Sequence, residues 1–131
     1  MPDILITLFI IAILPIVLSM TAGYFRIKEL GQFDNNHPRA QQAQLTGAGA
    51  RAIAAQKNAW EALIFFAVVV LIAANSSLDL NQLDNLAYTF LAARLLHPIF
   101  YITNQPTLRS LVFAIGWFTC IYIFYLTLMQ Y

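Results

Sequence analysis

Charge is what this chain has least of. Seven basic and six acidic residues make up 10% of its 131 residues, against about a quarter in ordinary soluble domains. With 60% of residues hydrophobic, too little polar surface exists to cover a core in water, which excludes a soluble domain. A formal net charge of +1 and no basic cluster interleaved with aromatics argue against nucleic-acid binding. One cysteine, Cys120, excludes an internal disulfide. Its place inside an apolar run reads as a small packing residue. Metal-ligand spacings, glycine-rich phosphate loops and nucleophile elbows are all missing. So are internal repeats, low-complexity tracts and any second domain, which leaves one domain over 1–131.

What is present is four long apolar runs. Ile4 to Phe25 has no ionisable side chain except Tyr24, and Ala62 to Leu78 has none. Asn85 to Gln105 has only Arg94 and His97 besides tyrosines, and Ser110 to Tyr131 only tyrosines and Cys120. Crossing about 30 Å of hydrocarbon takes roughly 20 helical residues. Barrel strands would alternate apolar and polar residues, and these runs are apolar all round. The expected fold is therefore all-α: an integral membrane four-helix bundle, left-handed and up-down, with helices at about 4–25, 47–75, 83–104 and 108–130. The acidic start Met1-Pro2-Asp3 and the length of the first run read as a retained span, not a cleaved signal.

Pro15 predicts a kink in the first helix. Arg26 to Thr46 reads as a polar extramembrane loop, with Asp34-Asn35-Asn36 and Pro38 as turn chemistry and His37 solvated. The alanine-rich stretch from Gly47 predicts a second helix that begins outside the hydrocarbon and enters it near Trp60. Its small residues suit the inner packing helix of a bundle or oligomer. Asn104-Gln105-Pro106 should break the third helix from the fourth. Arg26, Lys28, Arg39, Arg51, Lys57 and Arg109 all lie towards one end of the expected spans, and the other end has no lysine or arginine. Positive-inside bias thus expects both termini outside, periplasmic or lumenal, with loops 26–46 and 104–109 cytoplasmic.

An ionisable group at membrane depth costs from about 2.5 kcal/mol unless paired or wetted, so each marks a candidate site. Arg94, His97 and Tyr101 share one face of the third helix; Arg51, Asn58 and Glu61 share a face of the second. If the faces meet, arginines including Arg26 and Arg109 gather around one carboxylate, Glu61, and the cationic balance suits an anionic ligand. The structural alternative is a buried Arg94–Glu61 ion pair that only fixes helix packing. Trp60, Trp117 and the tyrosines read as interfacial or packing aromatics.

These residues also carry a resemblance. Arg51-Ala52-Ile53-Ala54-Ala55-Gln56-Lys57-Asn58-Ala59-Trp60-Glu61 resembles the second-helix signature of the MAPEG family, the membrane-associated proteins in eicosanoid and glutathione metabolism. Arg94, His97 and Tyr101 resemble its third-helix pattern, and the whole chain fits in length, as a bacterial-type member. The resemblance implies a homotrimer that binds glutathione between subunits, with a lipophilic co-substrate arriving from the bilayer. It implies that Arg26, Arg51, Gln56, Asn58, Glu61, Arg94, His97 and Tyr101 hold glutathione, and that Arg109 activates the thiol. Ala54 stands where many members carry arginine, and His97 where several carry tyrosine.

Three functions compete. The first is a glutathione transferase or peroxidase acting on lipophilic electrophiles or hydroperoxides. The second is a non-catalytic lipid-binding or scaffold protein of the same fold, which Ala54 favours. The third, a small multidrug transporter, requires a carboxylate inside the first span, and that span has none.

Overall fold

The computed structural model describes residues 1–130. Every regular element among them is helical: α1 (Asp3–Leu30), a short α2 (Pro38–Gln42), α3 (Gly47–Ala74), a 3₁₀ turn (Leu80–Leu83), α4 (Asp84–Ile102) and α5 (Pro106–Leu128). By length and composition α1, α3 and α5 can each cross a membrane. The fourth apolar run, α4, falls outside that set because Asp84, Asn85, Arg94 and His97 lower its hydropathy.

The long helices alternate in direction. At one end Asp3 on α1 accepts a hydrogen bond from the Tyr88 hydroxyl of α4. There too Ser77 Oγ, just past α3, donates to the Gln130 carbonyl beyond α5, at 2.6 Å. At the other end Arg51, in the second turn of α3, donates from Nε to the Ile102 carbonyl that finishes α4 (3.0 Å). α1 packs along α3, and α4 along α5, and α3 and α4 join the two pairs.

Each helix buries one stripe spaced three or four residues apart, as a 3.6-residue period dictates. On α1 it runs Ile4, Thr7, Ile11, Pro15, Leu18, Ala22 and Arg26. Away from the basic end the core is apolar and large, with Phe66 of α3 stacked on Phe90 of α4 at 4.0 Å between centroids. Nearer the basic end the seam narrows to Leu18, Ala55 and Ala59. Of the small residues of α3, Gly49, Ala52, Ala55 and Ala59 are buried inside the single chain. They are spent on packing within the subunit. Ile6, Phe9, Ile13, Ile64, Val68 and Phe118 are among the large apolar side chains left outside, as a lipid-facing surface requires.

The basic end departs from a simple loop. α1 runs on past the apolar stretch through Arg26, Lys28 and Glu29 to Leu30, because these polar side chains find partners there. Arg26 is buried; its Nε donates to Gln41 Oε1, its Nη2 to the Asp34 carbonyl, and its guanidinium lies 4.0 Å over the Phe33 ring. Gln41, also buried, returns Nε2 to the Gln32 carbonyl at 2.8 Å and accepts from the Asp34 N–H at 3.0 Å. The segment from Gly31 to Gln42 therefore folds back onto α1 as a structured cap.

Glu29 ties the same helix to α3. Thr46 at the N-cap makes no side-chain cap. Instead the Glu29 carboxylate accepts from the N–H groups of Thr46 (3.0 Å) and Gly49 (3.2 Å), satisfying donors that a helix start leaves open and opposing its dipole. Gly49 makes this approach possible: a Cβ there would lie 2.5 Å from Glu29 Oε1 and 3.2 Å from the Phe25 Cβ.

Candidate functional site

A cavity of about 210 Å³ opens between α3, α4 and α5. Asn58, Glu61 and Arg94 supply its polar side; Phe65, Phe90, Phe113 and Trp117 supply aromatic walls. The helical period explains the gathering. Asn58, Glu61 and Phe65 follow one another by three and four residues on α3, as do Phe113, Gly116 and Cys120 on α5.

Arg94 is 2% exposed. Its Nη2 donates to Asn58 Oδ1 at 2.8 Å, while its buried Nε has no partner. Asn58 Nδ2 in turn lies 3.5 Å from Glu61 Oε2, a contact at the limit of a hydrogen bond. Among the described residues no arginine or lysine pairs with a carboxylate; the one contact of this kind is His37 Nδ1 with Asp34, at 3.4 Å. The Arg94–Glu61 ion pair, the structural alternative for these two side chains, is therefore not formed: an amide stands between the charges. The cavity thus holds a guanidinium and a carboxylate, each with bonding capacity unspent.

The other expected residues divide into near and far. His97, next on the α4 stripe, is buried, and its Nδ1 has no partner. Its ring meets Tyr101 edge-on at 5.6 Å and tilts against Phe113 at 6.3 Å. Arg109, three residues into α5, lays its guanidinium 4.5 Å over the Tyr101 ring, a cation–π contact. A row Arg109–Tyr101–His97–Phe113 therefore leads from the basic end to the cavity wall. Arg51 closes the end of α4 through Ile102. Arg26 belongs to the loop cap. Gln56 faces a separate cavity with Arg39 and Lys57.

Trp117, which sequence reasoning assigned to interface or packing, stacks on Phe65 at 6.4 Å and lines the cavity. Phe65, Phe90, Phe113, Gly116 and Cys120 were not foreseen as lining. The spacing of the last three was visible on α5, but nothing in an apolar helix shows which stripe faces a void.

With this geometry in place, one comparison decides the family. A model of the MAPEG family matches residues 4–129, so the match takes in all four long helices. The chain belongs to the MAPEG family. No curated protein and no solved structure gave a match. MAPEG membership and the spanning helices make this an integral membrane protein, with a role of the glutathione-related transferase or peroxidase type or one related to it.

Proposed function

We propose that this MAPEG protein is a membrane-bound glutathione-dependent transferase or peroxidase that acts on lipophilic electrophiles or hydroperoxides at the Arg94 cavity. The observation that carries this reading is Arg94 itself: buried, with Nε unpartnered, beside an unpaired Glu61 in one aromatic-walled cavity. A buried charge without full hydrogen bonding is expensive. An anionic peptide that also carries an ammonium group would satisfy Arg94 and Glu61 together.

In this reading Arg94, Asn58 and Glu61 hold the tripeptide. Tyr101 and His97 border it, Arg51 holds the end of α4 in place, and Arg109 stabilises the thiolate. A thiolate is the nucleophile, and a nearby guanidinium lowers the thiol pKa. Attack on a lipophilic electrophile forms a sulfur–carbon bond and expels the leaving group; the thiol proton goes to water. The walls of Phe65, Phe90, Phe113 and Trp117 suit an apolar second substrate. At about 210 Å³ the cavity is smaller than the ~300–1,000 Å³ usual for ligand sites. A neighbouring subunit of a homotrimer would complete it.

α4 is taken as a fourth crossing. Arg94 and His97 point inward, and the Asp3–Tyr88 and Ser77–Gln130 contacts put both chain ends at one end of the bundle. With the basic end in the cytoplasm, both termini lie outside.

The test is ultraviolet difference spectroscopy of detergent-purified protein titrated with glutathione. The expected result is a thiolate band that is lost in Arg109→Ala while glutathione still binds. Absence of the band in the wild-type protein, with no conjugation of a model electrophile, would sink the enzyme reading. A second reading, a non-catalytic lipid-binding or scaffold protein of the same fold, draws support from Ala54 and from the position of Arg109. That guanidinium stacks on Tyr101 and does not line the cavity. A cellular phenotype lost in Arg109→Ala alone would count against the scaffold.

A further inference from the structure

We propose that Gly116 is the specificity-determining residue for the second substrate: the space left by its missing side chain admits the carbon that becomes bonded to the glutathione sulfur. This assignment rests on the glutathione reading of the Arg94 cavity. It narrows that reading to acceptors that are slender at the reacting carbon, an unbranched chain or a flat ring.

Glycine is a poor helix former, second only to proline. Inside a helix it is commonly retained for a positive φ or for the close approach of neighbouring atoms. Neither applies at Gly116. The glycines with positive φ are Gly31 and Gly47. A Cβ at Gly116 would meet nothing nearer than 3.7 Å, an ordinary contact, whereas at Gly49 it would lie 2.5 Å from Glu29 Oε1. Gly116 is buried within its own chain, so close packing against another subunit does not demand it either. What the absent side chain leaves is room in the cavity that Gly116 lines.

That room has a definite place. The atoms nearest to such a Cβ are Arg94 Cδ and Phe90 Cδ2 and Cε2, all at 3.7 Å. Arg94 is the cation of the cavity and Phe90 one of its aromatic walls. Gly116 therefore stands where the polar half gives way to the aromatic half, and the unbonded Nε of Arg94, next to that Cδ, marks the same border. A substituent on the sulfur of a peptide held by Arg94 and Glu61 has to pass this point to reach Phe65 and Trp117. A lone methyl group at position 116 fits against Arg94 and Phe90. The further carbons of a branched side chain would take up the passage.

Thioethers that resemble the product test this. Glutathione and its S-methyl, S-propyl and S-hexyl derivatives are titrated calorimetrically into the purified full-length protein, into Gly116→Ala and into Gly116→Val. In the wild-type protein affinity rises with chain length, by up to roughly fourfold for each methylene buried. Gly116→Ala binds glutathione as the wild type does and gains less from each added methylene. Gly116→Val still binds glutathione, but holds the S-hexyl compound about tenfold or more weakly than the wild type does. Circular dichroism checks each variant. If Gly116→Val does not fold, Gly116→Ala decides, since its methyl group makes only ordinary contacts.

The same gain with chain length in all three proteins would overturn the assignment. So would wild-type affinity that stays flat with chain length while glutathione itself binds, a result that leaves the glutathione reading standing. Equal loss of glutathione and of the S-hexyl compound in the variants would also overturn it, making Gly116 part of the peptide site or of the fold. If none of the compounds binds the wild-type protein, the glutathione reading fails and this assignment fails with it.

Discussion

Two buried arginines face opposite fates in this chain. Arg26, 4% exposed, is bonded through Nε and Nη2 and covered by Phe33. Arg94, 2% exposed, spends one Nη on Asn58 and leaves Nε empty beside a cavity. The surroundings of the first satisfy the guanidinium, while those of the second hold it in readiness. A buried cation that leaves no buried donor unbonded, as Arg26 does, supports the fold. One with a buried donor left over, as Arg94 has, is what the proposed glutathione site would use.

The comparison breaks most visibly at Arg26. Arg26→Met should cost about 3 kcal/mol, because it leaves the Asp34 carbonyl and part of Gln41 unbonded in a buried setting. Thermal unfolding in detergent and new proteolytic cleavage between Gly31 and Gln42 would show it. An unchanged melting temperature would mean that the cap is held by something other than its guanidinium.

Arg94→Met should behave in the contrary way. Removing an incompletely bonded charge leaves stability equal or higher, while glutathione affinity falls about tenfold to a hundredfold, as loss of a charge-assisted hydrogen bond predicts. Calorimetric titration beside a melting curve separates the two effects. A variant that melts much earlier than wild type would make Arg94 a structural residue like Arg26.

A smaller effect belongs to the clasp between α1 and α3. Gly49→Ala should cost about 1–2 kcal/mol by driving Glu29 off the helix start, close to the loss of a cap. In the double variant with Glu29→Ala the two costs should not add, because one interaction is broken twice. Full additivity in a melting-temperature cycle would show that the added methyl group acts on Phe25 instead.

The smallest effect concerns pH. The His37 N–H bonded to its carboxylate holds Asp34 below its ordinary value of 3.8. A group lowered on folding contributes stability that is fully present above its unfolded pKa and lost as pH falls through the folded one. Loosening of the Asp34–His37 turn should therefore begin only below about pH 4 and be absent in Asp34→Asn. Amide exchange at Asn36 and His37 would detect it.

Much of this was legible beforehand. Runs apolar on every side, with scarce charge between them, sufficed for helices in a membrane, and the Arg51-to-Glu61 segment together with Arg94, His97 and Tyr101 pointed to the family. The spacing of Arg94, His97 and Tyr101 placed them on one stripe, because period alone decides which residues share a face. Period does not decide what lies opposite. Arg26 looked as available to Glu61 as Arg94 did, since its true partners, Gln41 and the Asp34 carbonyl, come from a loop whose path no periodicity describes. For the same reason the end of α1 was read early: polar residues after Phe25 resemble a loop until their partners are known. Trp117 was read as interfacial or packing; it does pack, on Phe65, and what the sequence could not show is the void that the same ring borders. α4 is the reverse case: two of the polar groups that lower its hydropathy, Arg94 and His97, are buried within the bundle.

The Glu29 clasp bears on how the protein is made. Every atom of it, and of the Arg26 cap beside it, is synthesised before residue 50, while α4 and α5 are still untranslated. A chain truncated after Ala74 would contain every residue of a locked hairpin, and its connecting segment is expected to resist protease as much as in the whole protein. The clasp and the cap therefore need no residue of α4 or α5 to form.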